Sequence, residues 1–214
     1  MSGDAPTPIY HFTDAANLPG ILEAGGIYCK SRLPTGLQVK DISHYDIQQR
    51  RQTKRVGCGP GGVLHDYVPT YFGTKSPMMF AISKGGVEGC NRDTKRLVYL
   101  VSSVQSIENA GMRFVFSDGQ ATKAFTKFYE DISNLDKVDW SVMGSQYWND
   151  REEDPDRKRR RQAEFLIHQT FSWDAVEFLA VKNQNLKNRL DKYLLDEWPH
   201  QVKPVRVESG WYYS

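Results

Sequence analysis

The stretch Leu97–Ser102, written LVYLVS, constrains the fold most. It is rich in aliphatic and aromatic residues, too short for a buried helix, and is the strongest strand signal in the chain. Shorter runs of the same kind occur at Ile9–Phe12, Ile27–Cys29, Val63–Phe72, Arg113–Phe116, Phe165–Ile167, Phe178–Val181 and Pro204–Val207, with Trp211–Tyr213 behind the last. Helical spacing predicts helices between them. Ala15–Ala24 places Leu18, Ile21 and Leu22 on one side and stops at Gly25-Gly26. Asp41–Lys54 carries Arg50 and Arg51 near its end, and Ser76-Pro77 opens a helix over Met78–Ile82 as N-cap and first-turn proline. Ser103–Ala110, Thr122–Leu135 (Phe125, Phe128, Ile132 in register) and Leu186–Trp198 complete the set. Gly57–Gly62 is a loop, and Tyr147–Arg161 an exposed loop or frayed helix. This mixed order of strands and helices predicts one α+β domain over 1–214 rather than a doubly wound sheet.

At 214 residues the chain can bury a full core. Lys+Arg 28 against Asp+Glu 26 leaves a net charge of +2, so a nucleic-acid site would have to come from local clustering. Aromatics at 12% suit both strands and a site that stacks on flat rings. Cys29, Cys58 and Cys90 have neither C-x-x-C spacing nor an even count, which disfavours structural zinc and a disulfide scaffold and fits a reducing cytoplasm. No signal-peptide pattern or membrane-length apolar run is seen, so no membrane association is expected.

The densest chemistry lies in Arg157–Gln169, RKRRRQAEFLIHQ, where five cations lead through Gln162 and Ala163 to Glu164 at the mouth of an apolar strand. A carboxylate there is held by rigid backbone, and the cations beside it could hold a polyanion against it. Taken singly, each candidate has an ordinary reading. A basic run is usually a solvated surface, His11 in a strand is usually a hydrogen-bonded structural residue, and Tyr71 is usually core. Arg50 and Arg51 suit a helix C-terminus. No Walker A sequence, dinucleotide G-x-G-x-x-G, zinc-type histidine spacing or G-x-S-x-G elbow occurs.

In combination the segments are more specific. Pro8–Thr13, Asn17–Leu22 with Gly25 behind it, Asp46–Arg51, Gly61–Phe72, Ser76–Met78 and Arg161–Leu166, in this order, resemble the DarT family of DNA ADP-ribosyltransferase toxins. The resemblance covers roughly Pro8 to Tyr213. It implies an ADP-ribosyltransferase fold, two small, mostly antiparallel sheets with peripheral helices around an NAD⁺ cleft. The implied reaction is transfer of ADP-ribose from NAD⁺ to thymine in single-stranded DNA, with a macrodomain antitoxin, DarG, as partner. By the same resemblance, Glu164 and Arg51 would be catalytic, Arg51 matching the family pattern better than Arg50. Adjacent helical residues point ~100° apart, so spacing alone does not choose between the two. His11, Thr13, Gly20, Leu22, Tyr71 and Arg51 would line the co-substrate. On the DNA side, Lys75, Arg92, Lys95, Arg96 and the run Arg157, Arg159, Arg160 and Arg161 would supply cations, with Tyr147 or Trp148 stacking a base. No metal is implied.

The chemistry fits those assignments. Opening the nicotinamide–ribose bond builds positive charge on the ribose, as in glycoside hydrolysis, and a carboxylate at the 2′-hydroxyl interacts more strongly as that charge develops. An acceptor such as thymine N3 must lose a proton, which Glu164 could take, and a guanidinium would stabilise the resulting anion. The alternatives are the same fold acting on RNA or protein, or a non-enzymatic nucleic-acid binding module. A protein-arginine acceptor is disfavoured because Gln162 stands two before Glu164, where an E-x-E pair would need a carboxylate.

Overall fold

The computed structural model describes residues 5–43, 45–86 and 94–213. Among them the elements run β1 (Pro8–Asp14), α1 (Leu18–Glu23), β2 (Gly26–Tyr28), α2 (Tyr45–Thr53), β3 (Tyr67–Tyr71) and α3 (Pro77–Ser83). Next come β4 (Leu97–Ser103), α4 (Val104–Asn109), β5 (Phe114–Gln120), β6 (Phe128–Tyr129), α5 (Trp140–Met143) and α6 (Arg157–Arg160). The chain ends with β7 (Ala163–His168), β8 (Thr170–Ser172), β9 (Phe178–Val181), α7 (Gln184–Glu197) and β10 (Val205–Val207). Eight strands form one sheet in the order β10-β9-β4-β1-β3-β7-β5-β6, and β2 and β8 pair separately. Every pairing is antiparallel except β9 with β10.

The apolar run of β4 has a simple cause: both of its faces are covered. Val98 and Leu100 point into one core with Leu179, Val181 and the Leu186, Leu190 and Leu194 stripe of α7. Leu97, Tyr99 and Val101 point into another with Phe12, Ala180, Tyr212 and the α3 residues Met79 and Ile82. A strand buried on both faces has no solvent side to mark with polar residues. Ser76 caps α3 as expected, accepting from the Met79 N–H at 3.2 Å.

The large sheet is nearly two. β1 and β4 register seven residue pairs and β3 and β7 five, whereas β1 and β3 register only Tyr10 with Tyr71. The halves β10-β9-β4-β1 and β3-β7-β5-β6 diverge from that pair and leave a cleft between them.

Some elements differ from expectation. Thr122–Leu135 is not a helix but a set of tight turns, the short strand β6, and a 3-10 turn at Ile132–Lys137. Its polar groups are used locally, with Thr126 Oγ1 donating to the Gln120 carbonyl at 2.8 Å, and Phe125 is exposed. The helix expected at Asp41–Lys54 runs only over Tyr45–Thr53, and Tyr45 points outward. Tyr147–Arg161 resolves into one short helix, α6. Cys90 and Arg92 lie outside the described residues.

Candidate active site

Residue alternation places Glu164, Leu166 and His168 on one face of β7, opposite the face that sends Ala163, Phe165 and Ile167 into the core. Glu164 therefore stands at the cleft, directly across from Tyr71 of β3. It is only 5% exposed, and three neighbours fix it. Arg51 Nη1 donates to its Oε2 at 2.7 Å, and the backbone N–H of Ala121 donates to its Oε1 at 3.2 Å. Its own N–H donates to Ser117 Oγ at 3.1 Å. A carboxylate buried without such partners would lose several kcal/mol of solvation (~3–5 kcal/mol when one partner of a pair is removed).

The choice within the arginine pair is settled by burial. Arg51 is 6% exposed while Arg50 faces solvent. Arg51 Nη2 is buried with no hydrogen-bond partner. An unsatisfied guanidinium nitrogen is costly, and Arg51 is among the residues that line the cleft. Thr122 Oγ1, on the opposite lip, is likewise buried and unpartnered.

The cleft encloses about 390 Å³ and is lined by His11, Thr13, Gly20, Arg51, Tyr71 and Glu164 together with Gln48, His65, Gln120, Lys158 and Gln162. His11 Nδ1 donates to the Pro69 carbonyl at 2.8 Å, which leaves Nε2 as an acceptor. Burial pushes the imidazole below its ordinary value, with the Pro69 bond partly opposing, so His11 is neutral at pH 7. Thr13 Oγ1 accepts from Asn17 Nδ2 at 2.8 Å, and Asn17 also clasps the backbone of Lys40 through bonds of 2.8 and 3.0 Å. Burial raises the Asp14 carboxyl, but hydrogen bonds from Lys40 and the Ala16 N–H outweigh it and hold Asp14 ionised. These contacts fasten the segment 33–43 over the cleft. Gly20 packs closely under this segment, where a Cβ would lie 2.7 Å from Leu37 Cδ1 and displace the end of that side chain. Tyr71 stacks on Phe12 at 5.9 Å, and burial, then the charge of Glu164, push its phenol up. His65 Nε2 meets Gln48 Oε1 at 3.1 Å and ties α2 to the strand β3 entrance.

Other expected residues are placed elsewhere. Leu22 is 1% exposed in the main core and does not reach the cleft, because its helical turn faces the sheet. Trp148 is buried, donating from Nε1 to the Tyr213 hydroxyl at 3.0 Å, and cannot stack on a base as it stands; Tyr147 is exposed. Lys75 lies outside the cleft lining, with a backbone φ of 52°, its carbonyl accepting from Tyr213 and its ammonium 5.9 Å from the Tyr213 ring.

The basic run is largely paired within the chain. Arg159 pairs with Asp118 and Asp156, Arg160 with Asp139 and Asp154, and Arg157 with Asp154. Arg161 is 7% exposed and donates to the carbonyls of Met143 and Thr74 at 2.8 and 2.7 Å. Four of the five cations are thus used to hold the chain together. Lys158 is exposed and lines the cleft. Sequence reasoning also missed Ala121, whose contribution is a backbone N–H and leaves no side-chain signal.

No group of His, Cys, Asp and Glu among the described residues could hold a metal ion, and no described helix is long and apolar enough to cross a membrane.

The site is thus a cleft in a nearly split sheet with a buried glutamate–arginine pair at its floor. The chain resembles Thermus sp. 2.9 DarT solved in complex with ADP-ribosylated ssDNA, with a TM-score of 0.88 and 36% identity over 97% of both chains. It is similar to the same protein solved with NAD⁺, with a TM-score of 0.85 and 34% identity over 98% and 99% of the two chains. A curated DNA ADP-ribosyl transferase of Thermus sp. (strain 2.9) is 37% identical over 209 residues, 97% of each chain. The family model "ssDNA thymidine ADP-ribosyltransferase, DarT" matches residues 10–213, and the chain belongs to that family.

Proposed function

We propose that this protein transfers ADP-ribose from NAD⁺ to thymine bases of single-stranded DNA and releases nicotinamide. The observation that carries the reading is the Glu164 carboxylate, fixed at the cleft floor by Arg51 and the Ala121 N–H. Those two bonds leave lone pairs on both oxygens, so Glu164 can accept a ribose hydroxyl without moving. Its charge then lies where positive charge grows as the glycosidic bond opens, and a preorganised charge of that kind lowers the barrier itself.

The cleft residues fit NAD⁺. The unpartnered Arg51 Nη2 supplies a donor, His11 Nε2 an acceptor for an amide N–H, and the Tyr71–Phe12 stack a flat apolar wall. Gly20 and segment 33–43 line the same cleft, the wall along which an extended ligand would lie. NAD⁺ is the co-substrate in this reading, and it supplies the electrophilic sugar carbon. Glu164 also takes the acceptor's proton, and Arg51 stabilises the anion left behind. Lys158 on the cleft wall would meet the DNA backbone. A macrodomain antitoxin of the DarG kind is the partner that would restrain such a toxin in the cytoplasm, and residues 1–214 would act as a single domain.

The test is to incubate the protein with NAD⁺ and short oligonucleotides and to weigh the products. Thymine-containing DNA should gain the mass of one ADP-ribose, and thymine-free DNA none. Absence of any gain, or preferential labelling of RNA or protein, would overturn the reading.

A further inference from the structure

Glu164 Oε1 is held by a backbone N–H, so its position depends on what holds that backbone. Ala121 follows the last residue of β5, within a segment, 118–126, whose first residues lie where the β5–β7 register shifts between Phe116 and Gln120. Both ends of the segment meet one side chain. Arg159 Nη1 donates to Asp118 Oδ1 at 2.9 Å and to Thr126 Oγ1 at 3.3 Å. Thr126 Oγ1 in turn donates to the Gln120 carbonyl at 2.8 Å, one residue before Ala121. The rest of the guanidinium is locked to Asp156, Nε at 2.8 Å and Nη2 at 2.7 Å, and lies 5.0 Å from the Phe125 ring. The fit leaves no space at Gly119, where a Cβ would lie 2.2 Å from Arg159 Nη1.

We propose that Arg159 is a positioning residue for the transfer reaction, gathering both ends of segment 118–126 so that the Ala121 N–H stays on Glu164. This rests on the reading of Glu164 given above. Arg159 is absent from the cleft lining and acts through the loop. A planar fork suits the task because it bonds Asp118, Thr126 and Asp156 at once, which an ammonium cannot match. Loosening the loop leaves the cleft-lining residues of α2, β1 and β3 in place, moves only Gln120 and Thr122 among the lining residues, and lets the carboxylate drift. The expected signature is therefore a fall in kcat with little change in KM.

Arg159→Gln should lower kcat ten- to a hundredfold, on the order expected for a misplaced catalytic group. KM for NAD⁺ and for the oligonucleotide should stay within about twofold. Gly119→Ala, which pushes the guanidinium off its seat, should reproduce the split and carries the test if Arg159→Gln does not fold. Arg159→Lys should recover part of the loss. Ser103→Ala, which removes the α4 cap far from the cleft, should lower Tm with kcat unchanged. An unaltered kcat in both Arg159→Gln and Gly119→Ala overturns the proposal. So does a fall in kcat that Ser103→Ala matches at equal loss of Tm. A wild-type protein without any transfer instead overturns the functional reading on which the proposal rests.

Discussion

Arg51 and the run Arg157–Arg161 both set guanidinium groups against carboxylates, to opposite ends. The run pairs partly with Asp154 and Asp156, which immediately precede it, and partly with Asp118 and Asp139 in other segments. Its charges are largely neutralised where they stand, and what they buy is the shape of a loop. Arg51 meets Glu164 across 113 residues of sequence, with both side chains almost fully buried and one guanidinium nitrogen left over. Charge density along a sequence reports neighbours in the chain. What separates the two is place rather than burial: Arg51 and Glu164 line the cleft, whereas Arg157, Arg159, Arg160 and Arg161 do not, although the Nε atoms of Arg157 and Arg161 are also buried without a hydrogen-bond partner.

The sharpest way to break this contrast is Glu164→Gln. The transfer rate should fall on the order of 10²-fold or more, followed by product mass over time. A full rate in that variant would mean that the cleft pair is architecture like the run. Next in size is Arg51→Ala, which strands a buried carboxylate and should cost about 3–5 kcal/mol in denaturant unfolding. Arg160→Gln should cost only about 1 kcal/mol, because its partners remain partly solvated. Equal losses would erase the distinction between the two regions. The smallest effect should come from Lys158→Gln. The slope of log affinity for single-stranded DNA against log salt should drop by about 0.7, the contribution of one phosphate contact.

The parts of the molecule that rest on local pattern were legible. LVYLVS, the Ser76-Pro77 helix start and the leucine stripe of α7 follow from periodicity and capping, which need no tertiary information. Glu164 was legible because a carboxylate opening a core strand is locally odd. Arg51 over Arg50 matched a family pattern, but only the burial of α2 shows which one faces the cleft. Thr122–Leu135 misled because its aromatic spacing is helical while its polar groups close turns on Gln120, a competition decided by the loop's anchoring to Arg159. The pairing of the basic run was not foreseen, although the five carboxylates Asp150, Glu152, Glu153, Asp154 and Asp156 come just before it. Leu22 lies in the core although Gly20, two residues earlier, lines the cleft, so helical phase rather than motif position decides which of them reaches it.

The 113-residue separation of Arg51 and Glu164 has a consequence for the life of the chain. On the ribosome, most of the protein emerges before Glu164 exists, and β3 has no β7 to pair with until then. Contacts this distant in sequence are costly in loop entropy and form late. A nascent or truncated chain therefore carries half a cleft and no chemical centre. For an enzyme that marks DNA, activity arrives only with a finished fold.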